Sequence, residues 1–255
     1  MGISIEALRH QFIDLPPELE ELYGGRKVKF YYSLEEVRPG IMASHEHAVA
    51  DLLSRLKTNK SIVVGGFGPM GSGKSTVICV TYERVASAQA FKHVWDLERG
   101  GPDITNINCD EGPRMRVPAK HYLRAEDILD QLGPEQLLLV DEMEFAQNTK
   151  EEIIAFMGEL RRRGHQAFIT GLDFTFQRLP WETTQAVLGV ADAAFVFAAK
   201  CTEPNCSHLA PFTQRTINGE PAHFDDPVVV VGGVVDLYHP KCPDHHQVLP
   251  PRGGQ

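Results

Sequence analysis

The apolar run "SIVVGGF", Ser61 to Phe67, leads straight into "GPMGSGKST", Gly68 to Thr76, and this junction constrains the fold more than any other stretch. Gly68 to Ser75 matches G-x-x-x-x-G-K-[ST]. Small residues at this density let consecutive backbone N–H groups turn inward around phosphate oxygens, and a helix starting at the lysine adds its positive end. Lys74 is expected to reach the terminal phosphates, and the Ser75 hydroxyl to meet Mg²⁺. Gly68, Met70, Gly71, Ser72, Gly73, Lys74, Ser75 and Thr76 make up the expected cradle. A merely flexible glycine turn needs neither a buried strand before it nor a helix after it, and this stretch carries both patterns.

The surrounding rhythm agrees. A helix is expected from Lys74 to about Gln89, a strand at "FKHVWDL", a helix at "AEDILDQL" stopped by Gly133-Pro134, and a strand at "QLLLVDEM". Thr149 and Glu152 form a capping-box pair ahead of an apolar stripe of Ile153, Phe156, Met157 and Leu160; three arginines and Gly164 close that helix. "QAFITGLD" and "AAFVFAAK" read as two further strands. Continuous apolar strands alternating with helices imply a parallel sheet covered on both faces. The expected fold class is α/β: a P-loop NTPase-like parallel sheet flanked by helices, over residues 59–200. Residues 1–58 read as a separate N-terminal extension of unknown role, with no chemistry in its pattern and packing favoured over a site. It has a short helix at "PPELEELYGG", a strand at "KVKFYY" and an amphipathic helix at "EHAVADLLSRL". After Cys201 the pattern breaks into Cys-, His-, Pro- and Gly-rich sequence, read as a small second domain over 201–255.

"LLLVDEMEFA" supplies the second half of a nucleotide site. An apolar strand ending in Asp141 is the usual source of a second Mg²⁺-directed carboxylate, and Glu142 follows at once. There a carboxylate activates water in an ATPase, or takes a proton from a hydroxyl in a kinase. A solvated acidic turn is the blander reading, and its position after a phosphate loop in a parallel sheet argues against it. Phe145, beside both carboxylates, is a candidate for a pocket wall rather than core.

A net charge of −9 argues against a general nucleic-acid or anionic-membrane surface. The longest apolar run, "VVVVGGVV", is too short and too glycine-broken to span a bilayer. "MGISIEALRHQF" has no basic stretch followed by a long apolar one, so no secretory signal is expected. Five cysteines suit a reducing compartment, and the expected location is the cytoplasm. Cys201-x4-Cys206 and Cys242-x2-His245 are two close pairs about forty residues apart, suited to a tetrahedral structural Zn²⁺. His208 and His246 are alternative ligands nearby.

Together "GPMGSGKST", "VDEMEF", "GLDFTFQRLPW", "CTEPNC", "APFTQR" and "VVGGVVDLYHPKCPDH" resemble, in order, the thymidine kinases of the zinc-containing P-loop type, over roughly Ile62 to Gln247. The resemblance implies transfer of the γ-phosphate of ATP, with Mg²⁺, to the 5′-hydroxyl of thymidine, for nucleotide salvage and DNA synthesis. It also implies a homotetramer inhibited by dTTP. Glu142 matches the catalytic base and Phe145 the wall of the nucleoside pocket. Met70, Leu172, Thr213 and Tyr238 match positions around the thymine methyl; Phe176 and Trp181 match aromatic positions nearby. Arg99 matches an arginine near the 5′-hydroxyl. Thr213 to Tyr238 corresponds to a lasso that closes over the nucleoside, with Val230, Gly232 and Gly233 presenting backbone groups to the base and zinc pinning its two ends. Asn218-Gly219 is a hairpin signal inside it, and "VVVV" the expected return strand.

The chain departs from that family at Glu144, where glutamine is usual, and at Gly71, where a bulkier residue is common. The first cysteine pair is spaced x4 rather than x2, and there is one extra residue before Tyr238. These departures bear on base specificity, with deoxyuridine as an alternative substrate. A P-loop ATPase with a zinc module, or a nucleotide sensor with little turnover, are the competing functions.

Overall fold

The computed structural model describes residues 28–31, 36–38, 41–97, 101–105, 115–133, 136–230 and 238–253, with backbone alone for 28–31, 36–38 and 41–44. The expected helix at 16–25 and the site candidates Arg99, Gly232 and Gly233 lie outside the described residues.

Among the described residues seven strands form one parallel sheet: β1 (Val28–Tyr31), β2 (Ile62–Phe67), β3 (Ala88–His93), β4 (Ala119–Tyr122), β5 (Leu137–Asp141), β6 (Gln166–Gly171) and β7 (Ala193–Phe197). Their order is β1-β7-β2-β6-β5-β3-β4, every neighbouring pair parallel. The helices are α1 (Ala43–Thr58), α2 (Lys74–Arg84), α3 (Ala125–Asp130), α4 (Lys150–Arg162) and α5 (Glu182–Val190). Successive strand side chains point to opposite faces. Val63, Leu138, Val140 and Ile169 therefore pack with Ile153, Phe156 and Val187 of α4 and α5. Val64, Leu137, Leu139 and Phe168 pack on the other side with Leu52, Ile78 and Val80 of α1 and α2. Two covered faces explain why these strands are continuously apolar.

Within the range read as an N-terminal extension, Val28–Tyr31 and Ala43–Thr58 pack onto this body. β1 pairs with β7 from Val28↔Ala194 to Tyr31↔Phe197, and α1 buries Ala48, Val49 and Leu52 completely. The apolar stripe of α1 needed a partner, and the α2 face of the sheet supplies it.

Three other boundaries shift. α2 stops at Arg84 rather than Gln89, because Val85 leaves the helical region and β3 begins at Ala88. β3 ends at His93, and Val94–Asp96 turn as a 3-10 helix, with the His93 ring accepting from Trp95 N–H, where a strand to Leu97 was expected. Beyond the sheet, β8 (Ala199–Lys200) pairs with β9 (Leu209–Ala210). β10 (Phe212–Ile217) turns through Asn218-Gly219, both at positive φ, into β11 (Glu220–Pro221). The expected return strand at "VVVV" is not seen for Val228–Val230. β12 (Tyr238–Lys241) pairs with β10 instead, and the Tyr238 hydroxyl takes the Val228 carbonyl at 3.0 Å.

Candidate active site and metal centre

The phosphate loop runs from the end of β2 to the start of α2. Gly71 and Gly73 have φ of 74° and 85°, a left-handed backbone that side chains resist, which accounts for glycine at position 71. Ser72 Oγ donates to Pro69 O at 2.8 Å and steadies the turn. α2 begins at Gly73 with no side-chain cap and no acidic residue in its first turn, so its first N–H donors stay open to an anion. Lys74 Nζ donates to Gly68 O at 2.9 Å and Pro69 O at 2.7 Å. Burial lowers the Lys74 pKa, opposed by Glu144, Asp141, Asp173 and Glu142 in that order.

The strand order sets β6 between the loop strand and β5, so the end of β6 bridges the two halves of the site. Asp141 at the tip of β5 accepts from Ser75 Oγ through Oδ2 at 2.7 Å and from Thr170 Oγ1 of β6 through Oδ1 at 2.6 Å. Thr170 was not singled out from sequence; a lone threonine ending an apolar strand carries no signal. Tyr122 donates its hydroxyl to Asp141 O at 2.7 Å from beneath.

Glu142 adopts φ 60°, ψ 42°, a left-handed conformation for a non-glycine residue that costs on the order of 1–3 kcal/mol. The chain thus breaks out of β5 at this residue and turns into the 3-10 segment Met143–Phe145. Burial pushes the Glu142 carboxyl well above the ordinary carboxylate range; Asp141, Asp96 and Glu144 add to this, and Lys92 opposes it. Lys92 and Asp96 form a buried ion pair at 2.6 Å, and Lys92 lies opposite Asp141 in the β3–β5 ladder. Its signal in sequence is a lysine four residues before an aspartate inside an apolar strand. Glu144 is also buried. Desolvation drives its carboxyl up to about 7 against the pull of Lys74, and its Oε2 meets no hydrogen-bond partner among the described residues. A Cβ on Gly171 would stand 2.7 Å from that oxygen, so the carboxyl uses the space that glycine leaves.

Phe145 is held among aromatic rings: Trp95 stacked at 6.3 Å, Trp181 edge-on at 5.8 Å and His93 tilted at 6.0 Å. Trp95 was hidden in the sequence because the strand pattern ran through it. The Trp181 indole nitrogen is buried without a partner among the described residues. Of the other candidates, Thr213 joins the loop, its Oγ1 accepting from Met70 N at 3.0 Å. Phe176 lies under the Arg215 guanidinium, 5.6 Å from ring centre, and Leu172 O accepts from Thr184 Oγ1. Val230 and Tyr238, the latter at the start of β12, are half-buried.

Cys201, Cys206, Cys242 and His245 bring their ligand atoms within 4.8 Å of one another. The separations are 3.9 Å for Cys206 Sγ to Cys242 Sγ, and 3.7 and 3.2 Å from His245 Nδ1 to Cys201 and Cys242 Sγ. Bond lengths of ~2.3 Å to sulfur and ~2.1 Å to nitrogen put tetrahedral ligands about 3.6–3.8 Å apart, so the set fits Zn²⁺. His246 is turned away from this cluster. Its Nδ1 accepts from Arg178 Nε at 3.1 Å, and its Nε2 lies 3.3 Å from Thr213 O. His208 is exposed and paired with Asp244.

A phosphate loop whose serine meets a strand-end aspartate on a parallel sheet, with a second carboxylate beside an aromatic wall, defines a P-loop nucleotide-binding protein equipped for phosphoryl transfer. The sequence model for thymidine kinase matches residues 61–246, well over half of the chain. The chain belongs to the thymidine kinase family, and nucleoside kinase activity with ATP and Mg²⁺ follows from that membership. No helix among the described residues is long and apolar enough to cross a membrane.

Proposed function

We propose that the protein transfers the γ-phosphate of ATP to the 5′-hydroxyl of a deoxynucleoside, thymidine before others. The observation that carries this reading is Glu142, turned out of β5 between the Ser75–Asp141 contact and the rings around Phe145. Phosphate oxygens would take the loop N–H groups and exchange with the Gly68 and Pro69 carbonyls for the Lys74 ammonium. Ser75 and Asp141 would hold Mg²⁺, which supplies charge neutralisation of the phosphates when bound. Phe145, Trp95 and Trp181 offer flat apolar surface to a base, with the Trp181 N–H as a spare donor. Glu142 would orient the 5′-hydroxyl and accept its proton; its raised pKa makes it a stronger acceptor once ionised. In a loose transition state its orienting role is the larger contribution.

Val230, Gly232, Gly233, Tyr238 and Leu172 are read as base contacts on and near the lasso, Arg99 as a 5′-hydroxyl contact, and Zn²⁺ as the pin at the lasso's base. Pinning lowers the cost of ordering such a loop around a ligand. Feedback by dTTP and a homotetramer are carried by the family resemblance alone.

The test is mass spectrometry of products after incubation with Mg·ATP and thymidine, deoxyuridine, deoxycytidine or deoxyadenosine. Thymidine monophosphate is the expected main product. Glu142→Gln should lower kcat by roughly 10²–10⁴-fold with thymidine affinity retained. Monophosphate from none of the four contradicts the kinase reading.

A further inference from the structure

The chain before residue 61 lies outside the family match, yet it reaches the phosphate loop. α1 is fixed along its length. Ala48, Val49 and Leu52 are buried with Val77, Ile78 and Val80 of α2, Glu46 pairs with Arg84 at 2.8 Å, and Leu56 O accepts from Gln166 Nε2 at 2.6 Å. This anchoring delivers His45, near the N-terminal end of α1, onto the loop. His45 is 8% exposed, and burial lowers its pKa against the opposing effect of a hydrogen bond to the Ser72 backbone carbonyl. The ring covers Gly73 so closely that a Cβ there would overlap His45 Nε2 and Cε1. Glycine at 73 therefore answers to two demands, its φ of 85° and the approach of this ring.

The consequence follows from peptide geometry. The described chain has no cis peptide bonds, and across a trans peptide the C=O of one residue and the N–H of the next point in opposite directions. Holding the Ser72 carbonyl toward α1 turns the Gly73 N–H away from the ring. That N–H is one of the loop's donors, directly before the lysine and at the uncapped start of α2.

We infer that His45 is a positioning residue of the nucleotide site: α1 fixes the Ser72–Gly73 peptide through it, so that the Gly73 N–H is presented to the nucleotide phosphates. The N-terminal segment is then a working part of the ATP site. This inference rests on the reading of the loop as an ATP site.

The experiment is calorimetric titration of the full chain with Mg·AMP-PNP and, separately, with thymidine. Wild type is compared with His45→Ala, His45→Phe and His45→Gln, each checked by thermal melting. Phenylalanine keeps ring volume and removes the donor; glutamine can donate to Ser72 O. His45→Ala and His45→Phe should bind Mg·AMP-PNP about tenfold more weakly, the loss expected for one buried hydrogen bond. His45→Gln should recover most of that affinity, and thymidine binding should stay within about twofold throughout. Wild-type Mg·AMP-PNP affinity in both His45→Ala and His45→Phe overturns the inference while leaving the kinase reading intact. So does a fall in thymidine affinity parallel to that for nucleotide, which marks general structural damage. A wild-type protein that binds no Mg·AMP-PNP overturns the reading and the inference together.

Discussion

Two helices that follow strands of the same sheet begin in opposite ways. α4 starts with every local rule obeyed. Thr149 Oγ1 accepts from Glu152 N–H, Glu152 Oε2 accepts from Thr149 N–H at 2.8 Å, acids fill the first turn and arginines the last. α2 has glycine at its cap, lysine as its first residue and no acid in its first turn, and Ser75 sends its hydroxyl to Asp141 instead of capping. α4 only has to fold, so its end groups are satisfied internally. α2 leaves those groups for a ligand, and its stability comes from packing between β2, α1 and β5.

Substitutions at the two starts should therefore separate function from stability. Lys74→Ala should lower turnover by roughly 10³-fold or more, with the sheet intact by circular dichroism, because the ammonium inside the loop is removed. Retention of a tenth of wild-type turnover breaks the assignment of α2 as the ligand-facing helix.

Cys242→Ser tests a third region that has neither helix to rely on; among the described residues Ala199, Cys201, Ala210 and Cys242 form its buried cluster, with Cys206 packed against it. The variant should lose zinc by metal analysis. Amide exchange in β10 and β12 should accelerate by about 10²-fold while β6 is unchanged. Equal protection in wild type and variant contradicts a metal-pinned lasso.

Glu144→Gln sharpens the contrast between binding and folding. The Glu144 carboxyl has a folded pKa of about 7 against 4.5 unfolded, so the unfolded chain gives up this proton first. Its contribution is full below pH 4.5 and is lost as pH rises toward 7. The glutamine variant should match wild type near pH 4 and exceed it by on the order of 3 kcal/mol at pH 8, in denaturant unfolding at the two pH values. An equal difference at both pH values removes ionisation of Glu144 as the cause. The smallest effect belongs to Thr149→Ala. It should cost about 1 kcal/mol, a fall in Tm of ~2–4 °C, with kcat and KM for ATP unchanged. A shift in KM for ATP would contradict the division of labour between the helices.

The same contrast explains what the sequence disclosed. The α4 capping box, the Gly68–Ser75 loop, the strand ending in Asp141 and the four zinc-type ligands are local patterns, each complete within a few residues or two short pairs. Trp95 and His45 are not, and the Lys92–Asp96 pair is local but has the spacing of many surface charges. Trp95 reaches Phe145 because the chain leaves β3 at His93, and a 3-10 turn there reads like more strand. Lys92 and Asp96 look like ordinary surface charges until burial makes them partners. His45 acts across some 27 residues of chain, through a helix whose own pattern speaks only of packing. The β10–β12 pairing was missed for a related reason: "VVVV" has the composition of a strand, but the ladder went to Tyr238–Lys241, beside the cysteine that ends it.

The central claim is that Glu142 and the phosphate loop pass a phosphoryl group to a nucleoside hydroxyl rather than to water. Phosphorus NMR of the wild-type protein with Mg·ATP, with and without thymidine, tests it most directly. The account predicts no appreciable loss of ATP alone and, with thymidine, ADP and thymidine monophosphate in equal amounts. ADP and inorganic phosphate released at the same rate with or without nucleoside would contradict it.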